Sequence, residues 1–600
     1  MPRKEVTVIV AGEGGEGVIS VGEILTRTAA DAGLDVFTFR TYPAEIKGGL
    51  AMMQVRVGSD RIQSMGHGCE VLMAFNQEAI DEYADHVVAG GVMLYDPKHG
   101  EPAADYRRAA LPVTLHDTAV REAGGKIAKN IVALAALVRT LGIPRETARQ
   151  LIIDKFERKG EQVLEKNLKA FETGLELLNG DSILDGLALE PANEELKNSR
   201  RMIVSGNQAV CLGAVAAGCK FVGGYPITPA TSILEFMMKH LFSLGGVVIQ
   251  YEDEIASLSG CLGASWVGKK AMTATSGPGL CLMSEMIGMA SMSEIPVVIV
   301  DVQRSGPGTG MPTKTEQSDL SFALHSSTGE APRIVIAPTT VEDCFYQTVN
   351  AFNLAERFQM PVLILTDQSM AYRTRTIDVP RLEEVEVVDR DTPEINPGRP
   401  YKRFEDTVTG VSPMAVPGTP GALFVQSGLE HDEFGNASYT PENRMKMMRK
   451  RFRKLDTLER ELEAKGNGIF DDGDGAELGV IGWGSTEGPI REAIANARAE
   501  GFKVAHLHPK VLMPLPRYQI ARFLKPLKKV LVVEENFTGQ LAAHIRANVD
   551  FGDTTIVEVK QCSGLPWMSD SVYSEIIIRA RDDRSGRRSG EGEGSCLETA

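Results

Sequence analysis

The stretch PVVIVDVQRSGPG, residues 296–308, contains the clearest structural signal in the chain. Its first seven residues are apolar except for one aspartate, and such a run predicts a strand covered on both faces, as in a parallel sheet. The glycines and prolines after it predict a sharp turn. Arg304 then lies at the carboxyl edge of the sheet, where open α/β proteins bind ligands. Its planar fork suits a carboxylate, with a structural salt bridge as the alternative.

The alternation of apolar runs and helical patterns continues in both directions from this stretch. Near-continuous apolar strands recur at VVIQYE, AMTATS and PVLILTD (247–252, 271–276 and 361–367), and further strands lie near both ends of the chain, at VTVIVA (6–11) and KVLVVEE (529–535). We therefore predict three doubly wound α/β domains. Their bounds and connections are a first domain at 1–190, a linker at 191–200, a second domain at 201–375, a connector with a basic helix at 376–474, a third domain at 475–578 and a disordered tail at 579–600.

Composition limits the classes of partner. The 600 residues carry a net charge of −16, which argues against nucleic acid as the main partner because phosphates must be neutralised by lysine and arginine. No uncharged apolar run is long enough for a bilayer, and the N-terminal apolar run is too short for a signal peptide, so we expect a cytoplasmic protein without a membrane contact. The eight cysteines lack metal-ligand spacing, and we expect buried thiols, no metal and no iron–sulfur site in this chain.

The stretch GGYPITPAT (223–231) places two prolines around Thr228. Proline fixes its own φ, pushes the preceding residue into extended geometry and suits the first position of a helix, while threonine suits the cap before it. We therefore predict that Thr228 lies at a helix N-terminus, where an anion is favoured. A helix cap without a ligand is the alternative.

Glu254 follows a strand and opens a helix rich in small residues. The small residues recur at three- and four-residue spacing, which lets another backbone or a ligand approach closely. A partly desolvated carboxylate at this position suits proton transfer near neutral pH. A carboxylate that only complements the helix dipole is the alternative.

A glycine loop, GEGGEG at 12–17, follows the first strand and precedes a helix, which is the context of a dinucleotide-binding fingerprint. Glu13 and Glu16 place negative charge where a diphosphate would lie, and the next strand ends at Arg40 rather than at an acid. Strand-to-helix packing without a ligand and binding of some phosphate-bearing ligand remain comparable alternatives, with NAD less favoured.

Three other segments resemble sites but favour plainer interpretations. The triplet Gly473-Asp474-Gly475 is similar to the start of a thiamine magnesium motif, but it precedes a strand and predicts a turn. The run Glu430-His431-Asp432-Glu433 contains metal-ligating residue types, yet neighbours in a loop rarely all face one ion. The basic helix at 442–466 is typical of a solvated face, with an acidic partner surface as the lesser possibility.

Taken together, these stretches resemble the alpha subunit of the 2-oxoacid:ferredoxin oxidoreductases. The segments that carry the resemblance are YPITPAT (225–231), EDEIASLSGCLGASWVG (252–268), TSGPGLCLMSE (275–285), QRSGPGTGMPTKTEQSDL (303–320), SGLEHDEFG (427–435) and VEENFTGQL (533–541). Segment 1–190 is similar to the family's gamma subunit, fused in front, through GEGGEGV (12–18) and KGGLAMMQVRV (47–57), although Glu16 stands where the family has glutamine.

The resemblance implies a thiamine enzyme that also uses coenzyme A and a [4Fe–4S] cluster. It assigns the aminopyrimidine of thiamine diphosphate to the second domain, which would be of the pyrimidine-binding type, and the third domain to the transketolase C-terminal type. The diphosphate, its Mg²⁺ and the cluster would lie in a separate beta subunit, within an (αβ)₂ assembly that reduces ferredoxin. This division between subunits agrees with the lack of a diphosphate motif and of a cysteine cluster in the sequence of this chain.

The resemblance also implies roles for individual residues. Glu254 would bond the pyrimidine ring nitrogen and activate the coenzyme, and Thr228 and Arg304 would hold the substrate carboxylate. The implied cofactor contacts are Tyr225, Pro226, Ser276 and Gly277, with Gly14, Gly15 and Gly17 as candidates for coenzyme A.

The predicted reaction converts a 2-oxoacid and coenzyme A to an acyl-CoA, carbon dioxide and reduced ferredoxin, with 2-oxoglutarate giving succinyl-CoA as the favoured case. Two other classes compete with it. One is an NAD-linked dehydrogenase that uses the first glycine loop, and the other is a non-catalytic scaffold subunit.

Overall fold

The computed structural model describes residues 2–41, 48–125, 128–396 and 398–585, the last four of these by their backbone only. The chain divides into two compact units, which are described separately. The first contains Met1–Ser205, Tyr372–Val379 and Met568–Asp570, and the second contains Gly206–Ala371, Pro380–Trp567 and Ser571–Ala600.

One eight-stranded sheet organises the first unit. Its strands are β1 (Glu5–Glu13), β2 (Asp35–Thr41), β3 (Leu50–Gly58), β4 (Cys69–Ala74), β5 (Val87–Tyr95), β6 (Ala109–Pro112), β7 (Arg201–Ser205) and β14 (Thr374–Asp378). Its helices are α1 (Val18–Asp31), α2 (Gln77–Tyr83), α3 (Leu115–Ala123), α4 (Lys129–Leu141), α5 (Arg145–Phe156), α6 (Glu161–Glu176) and α7 (Glu194–Asn198). The apolar faces of α1 and α4 pack on one side of the sheet and form its larger core.

The first sheet corrects the dinucleotide interpretation. The strand order is β6-β5-β4-β1-β3-β2-β14-β7, and β1 lies between parallel β4 and antiparallel β3. A dinucleotide-binding unit needs β1 and β2 side by side and parallel. Because β3 separates them, the glycine loop does not open such a unit, and the NAD alternative is wrong in its geometry. Four of the seven strand pairs in this sheet are antiparallel, whereas the doubly wound domain that we predicted has mostly parallel pairs.

A seven-stranded sheet carries the candidate site in the second unit. Its strands are β8 (Phe221–Gly224), β9 (Val247–Gln250), β10 (Ala271–Thr275), β11 (Val297–Gln303), β12 (Ile334–Ile336), β13 (Pro361–Asp367) and β18 (Val511–Met513). Its helices are α8 (Gly206–Ala216), α9 (Thr231–His240), α10 (Glu254–Trp266), α11 (Gly277–Leu282), α12 (Ser284–Met292), α13 (Leu320–His325), α14 (Val341–Phe358) and α15 (Gln368–Tyr372). The order is β18-β12-β13-β11-β10-β8-β9, and every pair is parallel except β12–β18.

A five-stranded sheet in the order β15-β17-β16-β19-β20 completes the second unit. The strands are β15 (Ile469–Asp471), β16 (Leu478–Ile481), β17 (Val504–His508), β19 (Lys529–Glu534) and β20 (Thr555–Lys560). The helices are α16 (Pro441–Lys465), α17 (Glu487–Ala499), α18 (Arg517–Leu524), α19 (Gln540–Asn548) and α20 (Ser569–Ser585). The α/β class with three sheets is therefore confirmed, and no described helix is long and apolar enough to cross a bilayer.

Some segments differ from the sequence-based expectation. The first unit extends through β7 and takes in β14, so it crosses the expected limits at 190 and 375. Helix α7 lies inside the expected linker, and α20 continues through Ser585, past the expected start of the tail at 579. Residues 586–600 of that tail lie outside the described residues. The triplet at 473–475 forms the expected turn.

One face of the basic helix α16 is buried, whereas we predicted a solvated helix. Lys450 and Lys454 are fully buried and both bind the buried Glu294, through Nζ–Oε2 distances of 2.7 and 2.5 Å. Arg403 donates to the backbone oxygen of Glu294 at 2.6 Å. Although burial alone would raise it, the pKa of Glu294 is held well below its ordinary range by these three cations. The basic residues of α16 therefore anchor this helix to the segment before β11.

Candidate active site

Four parallel strands bring the predicted site residues to one edge. Neighbours in the order β11-β10-β8-β9 run in the same direction, so their carboxyl ends meet. Tyr225 follows β8, Ser276 follows β10, Arg304 follows β11, and Glu254 opens the helix after β9. This is the edge at which open α/β sheets bind ligands.

Glu254 is the first residue of α10 and is only 5% exposed. The helix is capped by Asp253, whose Oδ1 accepts a hydrogen bond from the Ala256 amide at 2.7 Å. A Cβ added at Gly279 would lie 2.5 Å from Glu254 Oε1, so the carboxylate is packed closely against α11. No described residue donates a hydrogen bond to it. Buried carboxylates are normally paired, so the unpaired Glu254 is a candidate to accept a hydrogen bond from a ligand.

The turn at the start of α11 lies beside two acids. Ser276 is fully buried at the N-cap position, and its hydroxyl has no hydrogen-bond partner among the described residues. A Cβ at Gly277 would approach Asp319 Oδ2 to 2.8 Å, and one at Gly279 would approach Glu254. The predicted cofactor contact Ser276 thus leaves a buried hydroxyl free for a ligand, while Gly277 faces an acid that sequence reasoning missed.

Arg304 is the second charged group at this edge that has no charged partner among the described residues. It is 7% exposed, forms no ion pair with any described carboxylate, and its Nε has no hydrogen-bond acceptor. Its Nη1 donates to the backbone oxygen of Thr228 at 2.7 Å. Burial lowers the pKa of the guanidinium, while the charge of Asp319 acts in the opposite direction. A buried guanidinium with free N–H groups is suited to bind a carboxylate.

Thr228 corrects one prediction. Helix α9 begins at Thr231, and its N-cap position is Ala230, so Thr228 does not cap it. The Thr228–Pro229 peptide bond is cis, and Asn207 Nδ2 donates to the Pro229 oxygen at 3.0 Å. Thr228 therefore meets Arg304 through its backbone, and its hydroxyl makes no hydrogen bond to a described residue. Tyr225 and Pro226 are exposed at the start of this turn.

The loop between β11 and α13 is held from the five-stranded sheet. The Gln317 backbone amide donates to the backbone oxygen of Glu535 at 2.7 Å. Gln317 Nε2 donates to the backbone oxygen of Trp483 at 2.9 Å. Glu534 in turn accepts hydrogen bonds from the Leu541 and Ala542 amides of α19 at 2.7 and 3.0 Å. The position of Arg304 therefore depends on tethers that local sequence patterns did not reveal.

In the first unit, the glycine loop contains an ion pair that the sequence did not predict. Gly14 donates its amide to the Gly49 oxygen at 2.8 Å, and Gly15 has an open position where a Cβ would lie. Gly17 has a φ of 88°, and a Cβ there would collide with Asn130. Lys129 lies 2.5 Å from Glu16 Oε1. This lysine offsets the negative charge that argued against a phosphate-bearing ligand.

The run 430–433 does not converge on one point. Glu430 binds Arg444 and Arg451, whereas Glu433 binds Lys402 and Lys446. Within the described ranges, no group of three or more histidine, cysteine or acidic side chains is arranged to hold a metal ion. The seven described cysteines form no disulfide, and five of them are buried.

Comparison with known proteins now bears on this geometry. Three family models match the chain: pyruvate flavodoxin/ferredoxin oxidoreductase, thiamine diphosphate-binding (212–450), pyruvate ferredoxin/flavodoxin oxidoreductase (7–177), and pyruvate:ferredoxin oxidoreductase core domain II (476–565). The site residues Tyr225, Glu254, Ser276 and Arg304 all lie within the first match.

Whole-chain relatives agree with the family models. The chain is 33% identical to the 2-oxoglutarate oxidoreductase subunit KorA of Mycobacterium tuberculosis, covering 95% of this chain and 90% of that one. It is 31% identical to the 2-oxoacid:ferredoxin oxidoreductase 2 alpha subunit of Aeropyrum pernix, covering 97% and 99%. A solved 2-oxoglutarate:ferredoxin oxidoreductase from Magnetococcus marinus, with 2-oxoglutarate, coenzyme A and succinyl-CoA bound, matches with a TM-score of 0.90 and 41% identity over 96% of this chain and 100% of that one.

The three-sheet α/β fold, the sheet edge and the matching thiamine domain define an oxidoreductase subunit of the thiamine diphosphate-dependent class. The chain belongs to the 2-oxoacid:ferredoxin oxidoreductase family, as an alpha subunit.

Proposed function

We propose that this alpha subunit catalyses the coenzyme A-dependent oxidative decarboxylation of 2-oxoglutarate, with succinyl-CoA, carbon dioxide and reduced ferredoxin as products. One observation carries the proposal. Glu254 and Arg304 are nearly buried charges of opposite sign, they lie at one edge of the seven-stranded sheet, and neither has a direct charged partner among the described residues. Such groups are costly to leave unpaired and therefore mark ligand positions.

Glu254 fits the pyrimidine ring of thiamine diphosphate, because its unpaired carboxylate can accept a proton or hydrogen bond from a ring nitrogen. When bound, the coenzyme would supply a thiazolium carbon as the nucleophile toward the ketone of a 2-oxoacid. Packing against α11 fixes the carboxylate, so that no reorientation is needed when it exchanges a proton with the ring. The buried Ser276 hydroxyl offers a further polar contact nearby, and Tyr225, Pro226 and Gly277 line the same edge.

Arg304 and Thr228 would orient the substrate carboxylate. The hydrogen bond from Arg304 to the Thr228 backbone fixes one side of the guanidinium and leaves Nε available. The Thr228 hydroxyl adds a neutral donor. A pre-organised anion-binding site of this kind needs no rearrangement to orient the carboxylate that is lost as carbon dioxide.

A beta subunit is the partner that we propose for the exposed side of this edge. Exposed apolar side chains lie on the elements around it, and the edge strand β9 contributes two of them. They are Tyr225, Phe242, Val247, Ile249, Ile255 and Leu282. Apolar patches of this kind mark protein interfaces. The partner would supply the diphosphate and Mg²⁺ site and the [4Fe–4S] cluster, within an (αβ)₂ assembly that passes electrons to ferredoxin.

We also propose that the glycine loop of the first unit contributes to coenzyme A binding. Gly14, Gly15 and Gly17 keep side chains away from the loop, and Lys129 provides a cation beside it. The similar structure from Magnetococcus marinus holds coenzyme A and 2-oxoglutarate, which supports both ligands here.

The test uses the full chain purified with the partner that accompanies it. We expect reduction of a viologen dye that requires both 2-oxoglutarate and coenzyme A, with pyruvate as the competing substrate. Glu254→Gln should lower the turnover rate about 100-fold or more, since it removes a general acid–base group. The matched control Glu252→Gln, two residues earlier and exposed, should stay within about twofold of wild type. Full turnover by Glu254→Gln would support a scaffold role instead.

A further inference from the structure

Asp301 and Asp319 form a pair of carboxyl groups behind the site. Asp301 lies near the end of β11 and is fully buried, and Asp319 lies at the start of α13. The two carboxyl groups are within hydrogen-bonding reach of each other. Neither oxygen of Asp301, nor Oδ2 of Asp319, meets an N–H or hydroxyl donor from any other described residue. Two buried carboxyl groups that share one site cannot both be ionised without a large cost, so the pair holds at least one proton.

The pair lies between the cofactor turn and the substrate arginine. A Cβ at Gly277 would lie 2.8 Å from Asp319 Oδ2, and the charge of Asp319 acts on the guanidinium of Arg304. The other ionisable groups that face the pair are Glu316, from the same loop as Arg304, and Cys281 of α11. Arg304 is thus the one described cation acting on the pair, and the remaining neighbours are acidic or neutral.

The ionisation of the pair agrees with this environment. Burial raises the pKa of Asp301 well above its ordinary value, and the charge of Asp319 raises it further. Burial also raises the pKa of Asp319 to about 6, with Glu316 acting in the same direction and Arg304 in the opposite one. Near pH 7 the pair therefore holds one proton and one negative charge, and that charge compensates Arg304 from a distance.

We infer that Asp301 and Asp319 act as a positioning pair for the substrate: when the carboxylate of a 2-oxoacid binds at Arg304, the pair takes up a second proton from solvent. This inference rests on the proposed function, because it needs the substrate anion at Arg304. An anion that binds the guanidinium brings negative charge close to Asp319. Protonation of Asp319 removes this repulsion and leaves Arg304 to the substrate alone.

The linkage has a definite sign. The free pair takes up its second proton near pH 6, and a bound anion moves this step to higher pH. Between the two values, binding consumes a proton, so the dissociation constant rises by up to about tenfold per pH unit. Below the lower value both states are fully protonated, and affinity no longer depends on this pair.

The experiment combines calorimetry with kinetics on the full chain and its co-purified partner. Glutarate, a dicarboxylate without the ketone, is titrated at pH 7 in buffers of different ionisation enthalpy, which counts the protons taken up. The KM for 2-oxoglutarate and the kcat are measured from pH 5.5 to 8.5. Wild type should take up a measurable fraction of a proton per glutarate, and its KM should rise with pH while kcat changes less.

Two variants separate positioning from structural support. Asp319→Asn removes the competing charge, so we expect no proton uptake, a KM independent of pH above 6, and affinity at pH 7 equal to or tighter than wild type. Asp301→Asn keeps the Asp319 charge with an amide donor beside it, so uptake at pH 7 should vanish without tighter binding. Glu316→Gln retains the pair and should keep proton uptake, shifted to lower pH because the Glu316 charge no longer raises the pKa of Asp319.

The outcomes distinguish failure of the proposed function from failure of the inference about the carboxyl pair. Absence of glutarate binding together with absence of 2-oxoacid-dependent dye reduction overturns the proposed function. Glutarate binding to wild type without proton uptake overturns the inference about the pair. The same holds if Asp319→Asn binds glutarate more weakly than wild type and keeps the pH dependence. If Asp319→Asn fails to fold, Asp301→Asn and the wild-type proton count still decide the question.

Discussion

Arg304 Nη1 donates a hydrogen bond to the backbone oxygen of Thr228 at 2.7 Å, across 76 positions of sequence. The two residues follow β11 and β8, which are separated in the sheet by β10. The bond fixes one side of a buried guanidinium, and no ion pair with a described residue holds the other. This relationship makes Arg304 the first target for mutation.

Replacing Arg304 with lysine keeps the positive charge and removes the planar fork. We expect the KM for 2-oxoglutarate to rise about 10- to 100-fold, because a hydrogen bond to a charged group contributes about 1.5–3 kcal/mol. Initial rates of viologen reduction provide the measurement. Arg381→Lys, at an exposed position, is the control, and equal KM values for the two variants would contradict the assignment.

Gly279→Ala tests the contact between α11 and Glu254. The new Cβ would lie 2.1 Å from Thr275 Oγ1 and 2.5 Å from Glu254 Oε1, so the carboxylate must move. We expect a higher thiamine diphosphate concentration for half-maximal activity and at least a tenfold lower kcat, since misplacement by about 1 Å can cost about 100-fold.

The matched control for that variant is Gly263→Ala in α10. Gly263 is exposed, and a Cβ there meets nothing within 4 Å. Alanine in a helix is more stable than glycine by about 0.5–1 kcal/mol, so the control should be at least as stable as wild type and fully active. Equal half-saturation values for thiamine diphosphate in both variants would show that Gly279 does not position Glu254.

Glu294→Gln tests the buried charges that anchor α16. The change leaves Lys450 and Lys454 without their shared anion, and breaking a buried ion pair costs about 3–5 kcal/mol. Urea unfolding should show a loss of this size. The exposed pair of Arg357 with Glu461 provides a contrast, because Arg357→Gln should cost less than about 1 kcal/mol. Similar losses in the two variants would refute the anchoring role.

Stability should fall in mild acid because of His506 and His508. Burial lowers the pKa of His506 to about 3 and that of His508 well below the ordinary value of 6.5. The unfolded chain therefore binds protons that the folded chain does not, so stability is fully present above pH 6.5 and declines below it. The slope should be about 1.4 kcal/mol per pH unit for each histidine.

Unfolding free energies between pH 4.5 and 6.5 check this slope. His508→Asn should lower the slope by about 1.4 kcal/mol per pH unit, provided that the variant folds, whereas the exposed His86→Gln should leave it unchanged. An identical slope in His508→Asn and wild type would mean that other groups dominate the acid response.

Several parts of the site were readable from sequence because their signals are local. Glu254 opens a helix after an apolar strand, Ser276 follows the next strand, and Arg304 follows a third, so each position comes from its own neighbours in the chain. Thr228 was predicted at a helix N-terminus, but α9 begins three residues later. Asp301 was visible as the single charge in an apolar run, yet nothing local to it identified Asp319 as its partner.

The basic helix and the glycine loop are two segments whose local patterns did not reveal their long-range contacts. Composition indicated a solvated helix at α16, but Glu294, more than 150 residues away, binds two of its lysines in the interior. The spacing of glycines after β1 fitted a dinucleotide unit, an alternative that the sequence already disfavoured, and the strand order excludes it because β3 pairs between β1 and β2. Both outcomes depend on contacts between segments that are distant in sequence.

By itself, the sequence determined the α/β class, the positions of the central strands and the places of Glu254 and Arg304 after two of them, because apolar runs, helix starts and glycine turns are properties of short segments. Only the tertiary structure decided the strand order, the pairing of Asp301 with Asp319, and which charges lack a partner. The physical reason is that burial and charge pairing depend on what a side chain meets across the fold, and a residue's neighbours in the chain do not specify those contacts.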